Sequence, residues 1–179
     1  VGDGSRWNLK IDYVDEGSDL MGTGGALRKA FDQGVLKDSF VVVYGDSFLP
    51  IDILPIWSAF QSTKSPALMT VLKNNDRWDK SNVVFESNTI RLYKKNAAQK
   101  DMKYIDYGLS ILRRKLVSEI PQGQKTDLAA IFERLSIEGQ LQGFEVYDRF
   151  YEIGSVQGFA DFETWLKKEE NIQWLSRSK

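Results

Sequence analysis

The chain has 179 residues, 42% of them apolar, with 24 basic side chains against 25 acidic ones. That length and apolar share suffice for a packed core, and the near-zero net charge gives no electrostatic case for a polyanion-binding surface. With no cysteine and no histidine, disulfides, thiolate zinc sites, imidazole ligands and serine–histidine hydrolysis are excluded. Any catalysis must run on carboxylates, lysines, arginines, backbone amides and a bound hard cation such as magnesium.

The opening Val1-Gly-Asp-Gly-Ser carries neither the basic region nor the apolar run of a signal peptide, and no apolar stretch is long enough to span a bilayer. Gly2, Gly4 and Arg6 imitate a phosphate loop only superficially, because polar Asn8-Leu-Lys10 follows them rather than a helix. Leu9 to Val14 alternates like a short strand, and Asp15 to Met21 reads as a polar loop. Gly24 to Phe31 reads as a helix with Leu27, Ala30 and Phe31 on one face. Ser39 to Tyr44 is a valine-rich run of the kind buried on both faces of a parallel sheet. A helix over 52–60 follows, capped by Asp52 and tolerating Pro55 in its first turn.

Ala67 to Lys73 is a further apolar strand, and Val83–Glu86 and Thr89–Tyr93 flank a Ser87-Asn88 hairpin turn. Tyr104 to Leu112 is a strand in which Gly108 marks a bulge or a close backbone approach. Thr126 to Leu135 is an amphipathic helix with Thr126 as its cap, Phe144 to Ile153 returns to strand, and Ser155 opens a last helix. Phe159, Phe162 and Trp165 of that helix are expected to pack onto the sheet, with a dimer contact as the alternative. No repeat, low-complexity tract or linker interrupts the chain. The expectation is one α/β domain over 1–179 with an antiparallel portion in its second half.

The richest signal is Met21-Gly-Thr-Gly-Gly-Ala-Leu-Arg28, followed by Phe40-Val-Val-Val-Tyr-Gly-Asp46. Glycines let a backbone approach a ligand, the first amides of a helix offer unpaired donors, and a strand ending in Asp46 delivers an acid to the carboxyl edge of a sheet. A ligand-free turn explains the glycines equally well. A dinucleotide-binding turn fits poorly: Leu27 stands where that fingerprint needs Gly or Ala, and the polar stretch Asp15 to Leu20 separates the turn from any preceding strand.

Leu20-Met-Gly-Thr-Gly-Gly-Ala-Leu27 followed by Val41-Val-Val-Tyr-Gly-Asp46 resembles the central part of sugar-1-phosphate nucleotidyltransferases. Heptose-1-phosphate and mannose-1-phosphate guanylyltransferases are the nearest in pattern; the uridylyl-, thymidylyl- and cytidylyltransferases resemble it more loosely. Leu92-Tyr-Lys-Lys-Asn96, Tyr104-Ile-Asp-Tyr-Gly-Leu109 and Phe150-Tyr-Glu-Ile-Gly-Ser155 fall in the family's order. The resemblance implies a Rossmann-like, GT-A-type α/β domain with a mixed sheet flanked by helices and its N-terminal strands absent.

It further implies nucleobase contacts at Gly22, Thr23, Gly24 and Gly25, and a magnesium ion on Asp46 and Glu152, the latter a glutamate where the family has an aspartate. Lys94 matches the sugar-phosphate lysine of a Glu-Lys-Pro-like motif, though Tyr93 and Lys95 replace its acid and its proline. Asn82 and Gly108 fall near sugar-contacting positions. The implied partners are a nucleoside triphosphate and a sugar 1-phosphate, in a cytoplasmic enzyme of surface-polysaccharide synthesis, with homo-oligomers allowed and neither nucleic acid nor membrane involved.

The family opens with a Gly-Gly-x-Gly-Thr-Arg-Leu loop that wraps the triphosphate, and no run here matches it. The chain is therefore expected to lack the triphosphate half of the site and to transfer nucleotide weakly or not at all alone. A non-catalytic nucleotide- or sugar-phosphate-binding module of the same fold is the main rival, and an NAD-type oxidoreductase fragment the second.

Overall fold

A computed structural model describes residues 2–96 and 99–172; Val1, the first residue of the opening run, lies outside them. In chain order the elements are α1 (Gly22–Asp32), β1 (Ser39–Val43), β2 (Ser47–Phe48), α2 (Ile53–Gln61), β3 (Ala67–Lys73), β4 (Val83–Glu86), β5 (Thr89–Tyr93) and β6 (Tyr104–Arg113). They continue with α3 (Arg114–Ser118), α4 (Leu128–Ile137), β7 (Leu141–Val146), β8 (Tyr151–Glu152) and α5 (Val156–Leu166).

Six strands form one mixed sheet in the order β1-β6-β3-β7-β5-β4, and β2 pairs with β8 in a separate ribbon. β6 runs antiparallel to both β1 and β3, and β3 runs parallel to β7. The carboxyl ends of β1, β3 and β7 therefore share one edge, where open α/β sheets carry their ligands. The central strand β3 alternates as its burial demands. Ala67, Met69 and Val71 join α1, α3 and α4 on one face, and Leu68 meets Ile56 and Phe60 of α2 on the other. Helices cover both faces, the arrangement expected from the sequence.

The elements read best are those with local turn or cap chemistry. Asp52 caps α2 by accepting from the Leu54 amide at 2.9 Å, and Ser155 caps α5 through the Gly158 amide at 3.0 Å. Ser87 and Asn88 both adopt positive φ, 48° and 60°, as a two-residue hairpin turn requires. Gly108 sits at φ +94°, and there β6 slips register: Met69 faces Ser110 but Val71 faces Asp106.

Four expectations need correction. Leu9 to Val14 forms no strand; the Leu9 and Ile11 amides bond back to Gly4 and Asp3, and Leu9 and Tyr13 stay exposed. β1 is not interior to a parallel sheet but an edge strand antiparallel to β6. Its valine run reflects cover on both faces, with Phe40 and Val42 on one core cluster and Val41 on the other. α4 is capped by Asp127 rather than Thr126, and the strand read over 144–153 is two strands separated by 147–150. In α5, Phe162 and Trp165 pack on Phe48 and Tyr151 of the β2–β8 ribbon, while Phe159 remains half exposed. No helix among the described residues is long and apolar enough to cross a membrane.

Candidate nucleotide and sugar-phosphate site

The glycine run opens α1 and docks on the loop before α4. Gly22 takes φ +73°, and a Cβ there would lie 2.7 Å from the Thr126 carbonyl oxygen, so only glycine fits. That carbonyl accepts from the Gly24 and Gly25 amides at 2.9 and 3.2 Å, and the Thr126 amide returns a bond to Met21. Thr23 donates from its hydroxyl to Asp127 Oδ1 at 3.1 Å and accepts from the Leu128 amide at 2.9 Å. Asp127 also caps α4 through the Ala129 amide and takes Lys95 Nζ at 2.7 Å. The Lys95 hydrogen bond is the main reason its carboxyl is held below the usual range.

Asp46 lies just beyond β1, exposed, in the turn that leads into β2. Pairing of Ser47 with Glu152, and the bond from the Ile153 amide to the Asp46 carbonyl at 2.7 Å, set Asp46 beside Glu152. Gly154 leaves the space between them: a Cβ there would lie 2.6 Å from Glu152 Oε1 and 3.6 Å from Asp46 Cβ. Two carboxylates side by side are the hard oxygen donors a magnesium ion would take, with waters and phosphate oxygens supplying the rest of its shell. No group of three or more His, Cys, Asp or Glu side chains forms a metal cage among the described residues. A cavity of about 290 Å³ opens beside Glu152, lined among others by Trp78, Arg149, Gln157 and Asp161.

The remaining predicted residues form a third group. Asn82 donates its amide to Tyr104, accepts from the Lys94 amide at 3.0 Å on its carbonyl, and accepts from the Asp106 amide at 2.9 Å on Oδ1. The Lys94 ammonium lies 3.6 Å from Glu133. The Gly108 amide donates to Asp106 Oδ1 at 3.0 Å. Burial pushes the Asp106 carboxyl up to about 6, against the downward pull of that amide and of the Lys95 charge.

Tyr44 links the groups. Burial first, then the charges of Asp106, Asp127 and Asp46, push its phenol up to about 12. One side chain thus feels the acid beside the glycine turn, the acid in the bulge and the acid beyond β1.

Sequence reasoning did not single out Tyr44, Asp106 or Asp127, and named Lys95 only as a departure from the sugar-phosphate motif. Asp106 and Lys95 stood inside motif segments quoted for other residues, and Asp127 follows the misassigned cap. Only the fold shows that these four share a neighbourhood.

No protein-family model matches the chain, and no curated protein does. Solved structures do. HddC from Yersinia pseudotuberculosis matches at TM-score 0.70 and 19% identity over 86% of this chain and 66% of that one; it has also been seen complexed with GMP-PN. A Bacillus anthracis protein described as a glucose-1-phosphate thymidylyltransferase, in complex with sucrose, matches at TM-score 0.77 and 18% identity over 91% and 68%. The inositol-1-phosphate CTP transferase from T. maritima matches at TM-score 0.62 and 20% identity over 87% and 62%. The fold is that of the sugar-1-phosphate nucleotidyltransferases. The chain spans 62% to 68% of the length of these relatives. Within this fold the glycine turn docks on the loop before α4, while Asp46 and Glu152 lie together beyond the carboxyl end of β1.

Proposed function

We propose that the chain is the larger part of a sugar-1-phosphate nucleotidyltransferase, moving a nucleotidyl group from a nucleoside triphosphate to a sugar 1-phosphate with release of pyrophosphate. The observation that supports this reading is the placing of Asp46 beside Glu152 by the β2–β8 ribbon, where Ser47 pairs with Glu152, the Ile153 amide bonds the Asp46 carbonyl, and the missing Cβ of Gly154 lets the Glu152 carboxylate lie there. Nothing in the packing calls for two carboxylates there.

In this reading Gly22 to Gly25 and Thr23 border the nucleobase. The Gly24 and Gly25 amides already serve Thr126, so the direct contacts are proposed at the Gly22–Thr23 end of the run. Asp46 and Glu152 hold Mg²⁺, which when bound neutralises charge on the phosphates during transfer. Lys94 leaves Glu133 to hold the sugar phosphate as a mobile point charge. Asn82 fixes the backbone at Lys94 and Asp106, and Gly108 lets the sugar ring approach β6. The parent enzyme is proposed to serve cytoplasmic sugar-nucleotide synthesis for a surface polysaccharide. No run within 1–179 matches the triphosphate loop, so this segment alone is expected to bind nucleotide and turn over slowly.

The test is a thermal-shift and calorimetric titration with GTP, UTP, dTTP and CTP, with and without Mg²⁺, beside Asp46→Ala. The expected result is magnesium-dependent stabilisation by one nucleotide, about 2.7 kcal/mol at a hundredfold excess over Kd, and its loss in the variant. Stabilisation that survives in Asp46→Ala, or none with any nucleotide, removes the reading.

A further inference from the structure

Asp106 has no structural task that accounts for its charge. It lies where β6 bulges away from β3, clamped through its amide by Asn82, the residue that also holds the Lys94 backbone. Its Oδ1 accepts from the Gly108 amide at 3.0 Å, and its Oδ2 has no hydrogen-bond partner among the described residues. The lysine whose charge reaches it, Lys95, is committed to Asp127 at 2.7 Å, and the Lys94 ammonium lies 3.6 Å from Glu133. Facing it from the surrounding elements are the Tyr44 and Tyr93 phenols, both raised in part by its charge, with Asp46, Asp127 and Glu133 acting on one or other of the same two rings. A partly buried carboxylate without an ion-pair partner costs stability unless a ligand completes its hydrogen bonding. Asn82 thus ties the backbone of Asp106 to that of Lys94, the residue assigned above to the sugar phosphate.

We propose that Asp106 makes the sugar-binding part of the site charge-selective: it receives a ring that presents hydroxyl or ammonium donors and rejects a ring that carries a carboxylate. The inference rests on the nucleotidyltransferase reading and adds a substrate class to it. An acceptor-only oxygen with an open side meets donors. A second anion at that place would face Asp106 with Lys95 held by Asp127 and Lys94 engaged by the ester phosphate, and like charges in a partly desolvated site repel strongly. The open oxygen and the excess of acids point the same way.

The experiment is calorimetric titration of the wild-type chain and Asp106→Asn with α-D-glucosamine 1-phosphate, α-D-glucose 1-phosphate, α-D-glucuronic acid 1-phosphate and inorganic phosphate, with GTP as a second control. Wild type is expected to bind the first two sugars at least tenfold more tightly than the glucuronic acid ester. In Asp106→Asn the three converge to within about threefold, while phosphate and GTP binding stay unchanged and the melting temperature does not fall. A residue with a purely structural role would shift all ligands together and would not alter the ratio. Equal binding of the three sugars by wild type, or discrimination that persists in the variant, overturns the charge-selective role and leaves the nucleotidyltransferase reading standing. Failure of wild type to bind any of the sugar phosphates overturns both. Should Asp106→Asn not fold, Asp106→Ser carries the same expectation.

Discussion

Two regions of the site are built on opposite plans. Around the glycine turn the polar groups satisfy one another: the Thr126 carbonyl takes two amides, and Asp127 takes Thr23, Ala129 and Lys95. Around Asp46 and Glu152 two carboxylates lie against Gly154 with few donors: among the described residues Asp46 Oδ1 receives only the Ser47 hydroxyl, at 3.3 Å. The first region is explained by the fold. The second is not, and two carboxylates brought together without compensating partners among the described residues are what the proposed magnesium site rests on. A glycine-rich motif can therefore be structurally fixed while the acid that follows it is left without a structural partner.

The largest effect expected on stability is at Gly22. Replacing it with alanine forces a positive φ on a side chain and sets its Cβ 2.7 Å from a backbone oxygen that cannot swing away. Destabilisation of about 2–4 kcal/mol is expected, read as a lower urea midpoint with an unchanged m-value. A loss under about 0.5 kcal/mol would break the contrast, because the turn would then be adaptable.

Asp106→Asn is expected to act with the opposite sign. Burial pushes the folded carboxyl up to about 6 from its ordinary value of 3.8 in the unfolded chain. Between those values the folded chain holds a proton that the unfolded chain has lost, so this group makes stability fall as pH rises from about 4 through 6. Removing the charge should stabilise the chain by about 2–3 kcal/mol at pH 8, and the gain should vanish near pH 4. Chemical denaturation at the two pH values measures it. A gain of equal size at both would show that the charge is not its source.

Asp127→Ala removes the α4 cap and the Lys95 partner together. A cost of about 1–2 kcal/mol is expected, with most of it recovered in Asp127→Asn, which keeps the cap but not the ion pair. Equal losses in the two variants would place the weight on Lys95 instead.

The same contrast explains what the sequence could reveal. Caps at Asp52 and Ser155, the Ser87-Asn88 turn and the Gly108 bulge are written in a few adjacent residues, and each formed where it was read. The direction and place of β1 depend on β6, some seventy residues away, and no local pattern encodes that pairing. A similar limit applied to Leu9–Val14, whose alternation is strand-like but which meets no neighbouring strand. In the site, the glycine turn and Asp46 stood out because glycines and a strand-ending acid are conspicuous. Asp106 and Asp127 did not, because an aspartate inside a strand or before a helix looks ordinary until its neighbours are placed.

The smallest effect on the fold, and the most telling, is expected at Glu152. Its side chain makes no hydrogen bond or ion pair among the described residues, and its position is set by backbone: Ser47 pairs with it, and Gly158 packs so closely on its carbonyl that a Cβ there would overlap the oxygen. Glu152→Gln preserves that shape and removes only the charge, so stability should change by less than about 0.5 kcal/mol. If the carboxylate serves a cation, the same substitution should weaken magnesium-dependent nucleotide binding at least tenfold while magnesium-free binding is untouched. An unchanged magnesium response would mean that Asp46 acts without Glu152, and that β2–β8 pairing brings the two together only to close the ribbon.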